Sequence, residues 1–346
     1  MNIVILFYLT LSTGLLYHGP KRHGGDRPEE GEAIHRSRSK VMTAAEAVAR
    51  FVRPGSTLGM GGQNVGRCPM ALTHEIIRQR IGDLTVVGCN LSIAMDQLVG
   101  AGLVRRTVCG SGNLERFGTT LCWRRAVEEG AVEVVDYSHL AMVTRFLAGE
   151  MGVPFMPTRS LLGSDLLRPP AAPGPAPGPP PPDRPVVVDD PWHPGTPVVL
   201  VPALQPDTSL LHVQRADALG NAIIEGFATH EPEMARASRH VVVSCEELVS
   251  TDEIRAHPEA TTLPFLYVDA VVVQPFGAYP TSTYRFYDYD AVHVAEYQAA
   301  ARAGPDAVQA YLEAYVWGCP SFDAYLQRAA GRERLEALRR TMRELV

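Results

Sequence analysis

The sequence predicts an α/β protein: an open, mainly parallel, doubly wound sheet followed by a helical C-terminal part. Three observations lead there. Between Ser56 and Met151, short apolar runs alternate with helical patterns of about ten residues, the spacing of units whose strands lie parallel. Runs such as Leu84-Thr85-Val86-Val87 and Val268 to Val273 are apolar almost throughout, as in strands covered on both faces. The early strand-like runs also end in glycine-containing loops, at Gly59–Gly62, Gly88 and Gly110–Gly112.

Organised structure is expected from Val41. Thr43-Ala44-Ala45-Glu46 fits a capping box. Ala44, Val48 and Phe51 or Val52 then form an apolar stripe, and Pro54-Gly55 ends that helix. Ser56 to Met60 is a strand leading into the loop Gly61-Gly62-Gln63-Asn64-Val65-Gly66-Arg67. Pro69 suits a first helical turn, and that helix runs through Leu72, Ile76 and Ile77 to Arg80. Asp83–Gly88, Val104–Cys109 and Val132–Asp136 are the next strands. Helices follow them through Ala94–Val99, Cys122–Glu129 and His139–Met151. Ligands of such sheets bind outside the carboxyl ends of the strands. Gly61–Arg67, Gly88–Ser92 and Gly110–Glu115 are therefore placed on one rim.

Phe155–Thr158 leads to a loop at Gly163-Ser164-Asp165. Pro169 to Pro185 is mostly proline, alanine and glycine, which packs as neither helix nor strand. A flexible insertion is expected over 169–197. Val198–Pro202 and Thr208–Val213 are strands, Asp217–Ala222 a turn, and Arg239–Ser244 and Val268–Val273 further strands. Beyond Tyr289 the pattern is helical, with Leu326, Leu335, Leu338 and Met342 on one stripe and 331–346 as the last helix.

The 346 residues suffice for one large or two modest domains, and 46% apolar with 20% charged residues is ordinary globular composition. A net charge of -6 without a basic, aromatic-laced stripe argues against nucleic acid as a partner. The six cysteines contain no C-x-x-C pair, so reduced thiols in a cytoplasmic protein are expected, with no zinc knuckle or compact disulfide framework. Ile3–Leu16 is apolar but short for a bilayer span, with no Lys or Arg before it and no small-x-small site after it. His18–Lys40 is polar and rich in Gly and Arg. Residues 1–40 read as a dispensable extension, disordered or spurious through an upstream start codon, with a membrane anchor as the minority alternative and no membrane partner expected.

No G-x-S-x-G elbow, P-loop or H-E-x-x-H occurs. The glycine loop suits an anion or a carbonyl oxygen, because glycine brings backbone N–H groups close and the helix start adds unpaired donors. Arg67 either meets an anion beside that loop or makes a structural ion pair. Glu115, in a Gly/Asn-rich loop on the rim, either acts as base or nucleophile or pairs with Arg116 or Arg67 or caps the next helix. Asp165 reads as a loop or N-cap residue before a site residue. His74 faces solvent or fills a gap, and His212 inside an apolar strand reads as a satisfied core histidine. No metal site is expected.

The chain resembles the A (alpha) subunit of glutaconate CoA-transferase and its family I CoA-transferase relatives. The likeness runs from Lys40-Val41-Met42-Thr43 through Leu58-Gly59-Met60-Gly61-Gly62, Arg67 with Pro69, Glu75-Ile76-Ile77-Arg78-Gln79, Asp83-Leu84-Thr85 and Asp136-Tyr137-Ser138. It continues with Gly152-Val153-Pro154-Phe155-Met156-Pro157, Gly163-Ser164, Cys245-Glu246-Glu247, Glu253-Ile254-Arg255 and Val268-Asp269-Ala270-Val271-Val272. Pro275-Phe276-Gly277-Ala278-Tyr279-Pro280 and Tyr287-Asp288-Tyr289-Asp290 complete it. It covers Val41 to about Leu326 apart from the proline insertion.

The resemblance implies an open α/β fold and a partner B subunit, often in an A2B2 tetramer, with the active site between the two. CoA would be a substrate rather than a bound cofactor, passing between carboxylic acids through a glutamyl-CoA thioester on B. The Ser-Glu-Asn-Gly-like nucleophile motif of B does not occur here, which fits an alpha-type chain. Gly59 to Gly62 would stabilise the oxyanion formed when carboxylate attacks thioester. The resulting oxyanion and substrate-binding candidates are Gly61, Gly62, Gln63, Arg67, Asn90, Ser92 and Ser164. No residue of this chain is assigned as catalytic nucleophile, and Glu115 is the one candidate. Gln63 departs from the family's usual Gly-Gly-Phe. Alternatives are a heteromeric hydrolase of the same fold that opens steroid-derived rings on CoA thioesters, where Glu115 gains weight, and a non-enzymatic ligand-sensing module.

Overall fold

The computed structural model describes residues 39–167 and 183–346. The expected N-terminal extension thus lies outside the described residues except for its last two positions, and so does the proline-rich run from 168 to 182.

The first helix, α1 (Ala44–Phe51), begins as its sequence dictates. Thr43 Oγ1 accepts the Glu46 N–H at 3.2 Å while Glu46 Oε2 accepts the Thr43 N–H at 2.9 Å. Four β–α units follow: β1 (Thr57–Met60) with α2 (Met70–Arg78), β2 (Leu84–Leu91) with α3 (Ile93–Gly100), β3 (Val104–Gly112) with α4 (Leu121–Glu128), and β4 (Glu133–Asp136) with α5 (His139–Met151). Beyond them lie β5 (Phe155–Thr158), β6 (Val186–Asp190), β7 (His193–Pro202), β8 (Thr208–Asp217), β9 (Ala222–Ile223), α6 (Glu231–Ala237), β10 (His240–Val249), α7 (Thr251–Ala256) and β11 (Ala270–Val273).

The main sheet has eight strands in the order β11-β10-β8-β1-β2-β3-β4, with β9 paired on β8. Every pairing is parallel except β8 with β9. In β1, Leu58 lies opposite Val86 on one side and Thr208 on the other. The chain leaves β1 toward β2, β3 and β4 first and later fills the opposite side with β8, β10 and β11. The boundary between β1 and β8 is therefore the point where the winding reverses, the place where such sheets open a crevice for ligands.

Successive residues of a buried strand feed opposite faces. Leu84 and Val86 of β2 join a core with α1, α2, α3 and the C-terminal helices, whereas Val87 and Cys89 join a second core with α5 and α6. The C-terminal part consists of α8 (Ala291–Ala303), α9 (Pro305–Leu312), α10 (Phe322–Ala329) and α11 (Gly331–Leu345), with a π-turn at Glu313–Trp317. Leu326 and Leu335 are buried in the first core and Leu338 packs against it. Among the described residues no helix is long and apolar enough to cross a membrane.

One expectation is corrected. The flexible insertion was drawn over 169–197, but β6 and the first half of β7 occupy 186–190 and 193–197, in an antiparallel three-stranded sheet of order β5-β7-β6. Asp183 anchors its approach by accepting from Arg145 Nη2 and Arg106 Nη1, both at 2.7 Å. Burial would push the Asp183 carboxyl upward, yet the two guanidinium groups hold it below its ordinary range.

Candidate functional site

The loop after β1 folds into the reversal point between β1 and β8. Gly61 N–H donates to Leu210 O of β8 at 2.9 Å. Gly62 has φ +83°, and a Cβ on it would lie 2.7 Å from Arg67 O and from Cys68 N. Only glycine fits that double demand. Gln63 and Gly66 exchange both backbone hydrogen bonds, at 2.9 and 2.8 Å, so Asn64 and Val65 form the tip of a tight turn. Arg67 N–H donates to Ser282 O at 2.7 Å and Cys68 N–H to Thr281 Oγ1 at 3.1 Å, which ties the turn to the segment before α8.

Beneath the turn lies a buried ion pair. Arg67 meets Glu231 of α6 at two points, Nη1 to Oε1 and Nη2 to Oε2, both 2.8 Å. The same guanidinium donates to His212 O at 3.3 Å and Phe227 O at 2.7 Å. Glu231 also accepts the Gly62 N–H at 3.0 Å. Burial alone would push the Glu231 carboxyl upward, but the Arg67 charge and these donors hold it below its ordinary range. Neighbouring His230 is buried neutral, with its imidazole pKa depressed by desolvation and Nε2 facing Met60 O at 3.2 Å.

Two readings of the sequence are resolved or corrected by this arrangement. Arg67 makes the structural ion pair rather than offering a free charge to an anion. The N–H groups of Gly61 and Gly62 were expected to face an oxyanion, yet both are taken up internally, because the buried Glu231 carboxylate and the Leu210 carbonyl need donors. Among the amides of residues 61 to 68, Asn64 and Val65 are the ones that make no hydrogen bond within the described residues. Both sit at the turn's tip.

That tip lines a cleft of about 540 Å³ with Gln63, Glu115, Glu225, Phe227, Ser282, Tyr284, Asp288 and Tyr289. Phe227 is 74% exposed and Tyr284 41%. Glu115 enters the cleft from the loop after β3. It has φ +51°, as Asn64 does, and Arg67 has φ +50°. Three non-glycine residues in the left-handed region at one place mark a backbone held by its surroundings. The Glu115 carboxylate accepts from Asn64 Nδ2, and its own N–H donates to Asn113 Oδ1 at 3.0 Å. Asn90, at the end of β2, donates from Nδ2 to Asn64 Oδ1 and accepts from Asn113 Nδ2 at 3.3 Å. The rim expected from the sequence therefore exists, and it joins Asn64, Asn90, Asn113 and Glu115.

Other candidates lie elsewhere. Ser92 is buried at the start of α3. Ser164 turns back on Leu161 O at 2.6 Å, in the loop after β5, and Asp165 opens a short 3-10 turn beside it. His74 is fully buried against Gln97, and His212 is a core histidine satisfied by Ser244 Oγ at 2.9 Å and Glu246 Oε1 at 2.7 Å. Cys68, at the end of the loop, is buried and its thiol is pushed up to about 12, so it is no nucleophile. Among the described residues no cluster of metal-ligating side chains occurs. Sequence reasoning missed Asn64 as the link to Glu115 and Glu231 as the partner of Arg67. Nothing local marks a pair 164 residues apart.

A sequence model of coenzyme A transferase matches residues 41–274. The chain belongs to the coenzyme A transferase family. It is 39% identical over 303 residues to an uncharacterized protein of Archaeoglobus fulgidus, covering 87% of this chain and 64% of that longer protein. To the A subunit of glutaconate CoA-transferase from Acidaminococcus fermentans it is 32% identical over 300 residues, 84% of this chain and 92% of the relative. The crystal structure of that glutaconate coenzyme A-transferase superposes with a TM-score of 0.81 at 31% identity, over 87% of this chain and 95% of the other. To the A subunit of 3-oxoadipate CoA-transferase from Pseudomonas knackmussii it is 30% identical, over 84% of this chain and 99% of the relative. The open, mainly parallel sheet with a helical C-terminal part is thus the coenzyme A transferase architecture, as the sequence indicated.

Proposed function

We propose that this coenzyme A transferase family member is the alpha-type chain of a heteromeric enzyme that moves CoA between carboxylic acids, with an acyl-CoA of the glutaconate or 3-oxoadipate kind as donor. The observation that carries this reading is the turn Gln63–Gly66, braced by Ser282 and the Arg67–Glu231 pair, which sets the Asn64 and Val65 N–H groups at a cleft mouth. Its support is the match to the A subunits of glutaconate and 3-oxoadipate CoA-transferases.

The nucleophile in this reading is a glutamate of a partner B subunit. Its carboxylate attacks the thioester carbonyl, the electron pair moves onto oxygen, and the Asn64 and Val65 N–H groups receive the oxyanion. CoA leaves as thiolate, and its return to the glutamyl carbonyl forms the glutamyl-CoA thioester as the acid departs. A second acid reverses the sequence. CoA serves as a substrate, no metal or bound cofactor takes part, the assembly is A2B2, and the compartment is the cytoplasm, consistent with six buried free cysteines. Co-expression with a B-type subunit of the same family tests this. Ping-pong CoA exchange between acids is expected only with both chains present. Thioester loss that needs water and no acceptor acid would overturn it.

A second reading is favoured by the placement of Glu115 in the cleft. In a CoA-thioester or ring-cleaving hydrolase of this fold, that carboxylate would act as the base. Glu115→Ala then abolishes turnover, and an unimpaired variant removes the hydrolase reading.

A further inference from the structure

Glu246, in β10, is buried behind the cleft and has no place in the chemistry proposed above. A carboxylate only accepts hydrogen bonds, and this one accepts three. Its Oε2 takes the Phe276 N–H at 2.8 Å, and its Oε1 takes the Tyr287 hydroxyl at 2.8 Å and His212 Nε2 at 2.7 Å. His212 belongs to β8, the strand that meets β1 at the reversal point. Phe276 and Tyr287 stand near the two ends of the segment 274–290, which links β11 to α8, and their rings pack 4.6 Å apart. Tyr287 Oη in turn accepts the Ala278 N–H at 3.1 Å.

Two features mark this loop as held from outside. Phe276 has φ +58°, a left-handed conformation that a bulky residue takes only where its surroundings impose it. Its N–H is the one that Glu246 takes. Residue 277 must be glycine, because a Cβ there would lie 2.8 Å from His212 Cε1 and 2.8 Å from Gln274 O. The loop therefore lies directly against the imidazole that Glu246 fixes.

From that anchorage the loop grips the turn after β1. Arg67 N–H donates to Ser282 O at 2.7 Å, Ser282 N–H to Val65 O at 2.8 Å and Ala71 N–H to Gly277 O at 2.9 Å. Ser282 Oγ reaches the same Val65 oxygen at 3.2 Å. With its carbonyl held twice, Val65 is fixed at the turn's tip.

We propose that Glu246 is the positioning residue of the cleft: by tying both ends of the 276–287 loop to β8 and β10, it sets the direction in which the Asn64 and Val65 N–H groups point. Its value to catalysis rests on the reading of those groups as the oxyanion donors. Glu246 acts through the loop and touches no substrate.

The test is hydrogen–deuterium exchange of the full chain alone, comparing peptides spanning 62–68 and 280–284 with one spanning β2. Tyr287→Phe keeps the ring and removes one oxygen, so the loop loses a tie to Glu246 and the Ala278 N–H loses its acceptor. Exchange at 62–68 and 280–284 is expected to accelerate about 5-fold or more beyond any change in β2, the scale of one lost hydrogen bond. Glu246→Gln keeps the shape but puts a donor among three donors, and is expected to act alike. Ser244→Ala removes the contact of 2.9 Å to the other ring nitrogen of His212, away from the loop, and is expected to leave turn and β2 in step. Equal acceleration everywhere in Tyr287→Phe is the mark of lowered global stability and overturns the proposal. A turn as protected as in the parent chain overturns it too. Thermal melts verify folding, and Tyr287→Phe alone decides the matter if Glu246→Gln does not fold. In a CoA-transfer assay with the B-type partner, the same variants are expected to lower kcat per folded molecule. Accelerated exchange at the turn with unchanged kcat would support the bracing and count against the cleft as the reaction site, so the two failures are distinguishable.

Discussion

Arg67 and Glu231 meet through two parallel contacts of 2.8 Å, with side-chain exposures of 8% and 1%. The pair supports the loop from below: Glu231 also holds Gly62, and Arg67 spans from His212 O on β8 to Phe227 O beside the cleft. Removing one partner leaves a buried charge without a counterion, which costs far more than the pair itself contributes. Arg67→Ala is expected to destabilise the chain by about 3–5 kcal/mol in urea unfolding. Arg67→Met with Glu231→Leu is expected to recover most of that loss. A double variant as unstable as the single one would refute the account.

Stability is expected to fall on acidification in two stages. His230 has its folded pKa depressed below 6.5 by burial, so its contribution is intact above 6.5 and declines as the pH drops below that value. Glu231 has its folded pKa depressed below 4.5, so its contribution is intact above 4.5 and is lost as the pH falls further. Melts from pH 8 to 3 cover both windows. Arg67→Met with Glu231→Leu should remove the lower stage and keep the upper one.

Gly62→Ala is expected to damage both fold and site. A left-handed φ costs an L-residue about 1–2 kcal/mol, and the added Cβ meets backbone atoms of Arg67 and Cys68. Since those atoms cannot swing aside, the turn tip must move. A lowered melting temperature together with lost exchange activity is the expected outcome. Gly163→Ala serves as a comparison, because it also has positive φ but nothing within 4 Å.

Gln63 lines the cleft, and its Oε1 is buried without a hydrogen-bond partner among the described residues. An acceptor left in that state rewards a substrate that brings a donor. Gln63→Phe is expected to change the ratio of kcat/KM between acids by about 10-fold or more. The check is a panel of acceptor acids assayed with the paired subunits. An unchanged ratio would show that this side chain does not select.

Asp183→Ala tests the small sheet. Arg145 is fully buried and Asp183 is its carboxylate partner, shared with Arg106. The loss is expected to be about 3 kcal/mol or more by denaturation. Cleft chemistry should be untouched, so activity per folded molecule is the control.

Local features were legible in the sequence. The capping box at Thr43 and Glu46 announces α1, and the apolar runs of β2 and β11 announce strands covered on both faces. The turn at Asp217 was legible too, and its Oδ1 takes the N–H groups of Leu219, Gly220 and Asn221. The rim followed from counting strand ends. What stayed hidden depends on contacts between distant segments. Strand β6 is three valines and two aspartates at the end of a proline run, and it pairs only because β7 supplies an edge. The use of the Gly61 and Gly62 amides was unreadable, because Leu210 and Glu231 lie far along the chain. The link from Asn90 to Asn64 arises from two loops closing on each other, which no spacing encodes.

Strand β1 has one further consequence, for the order in which the protein is made. Its neighbours are β2, translated soon afterward, and β8, whose Thr208 pairs with Leu58. Until residue 208 leaves the ribosome, one side of β1 is a bare row of backbone donors and acceptors at what will become the middle of the sheet. An incomplete chain ending before β8 therefore carries a sticky apolar edge that a finished molecule never shows. The reversal point that opens the cleft is also the seam of β1 that must wait for β8 before it closes.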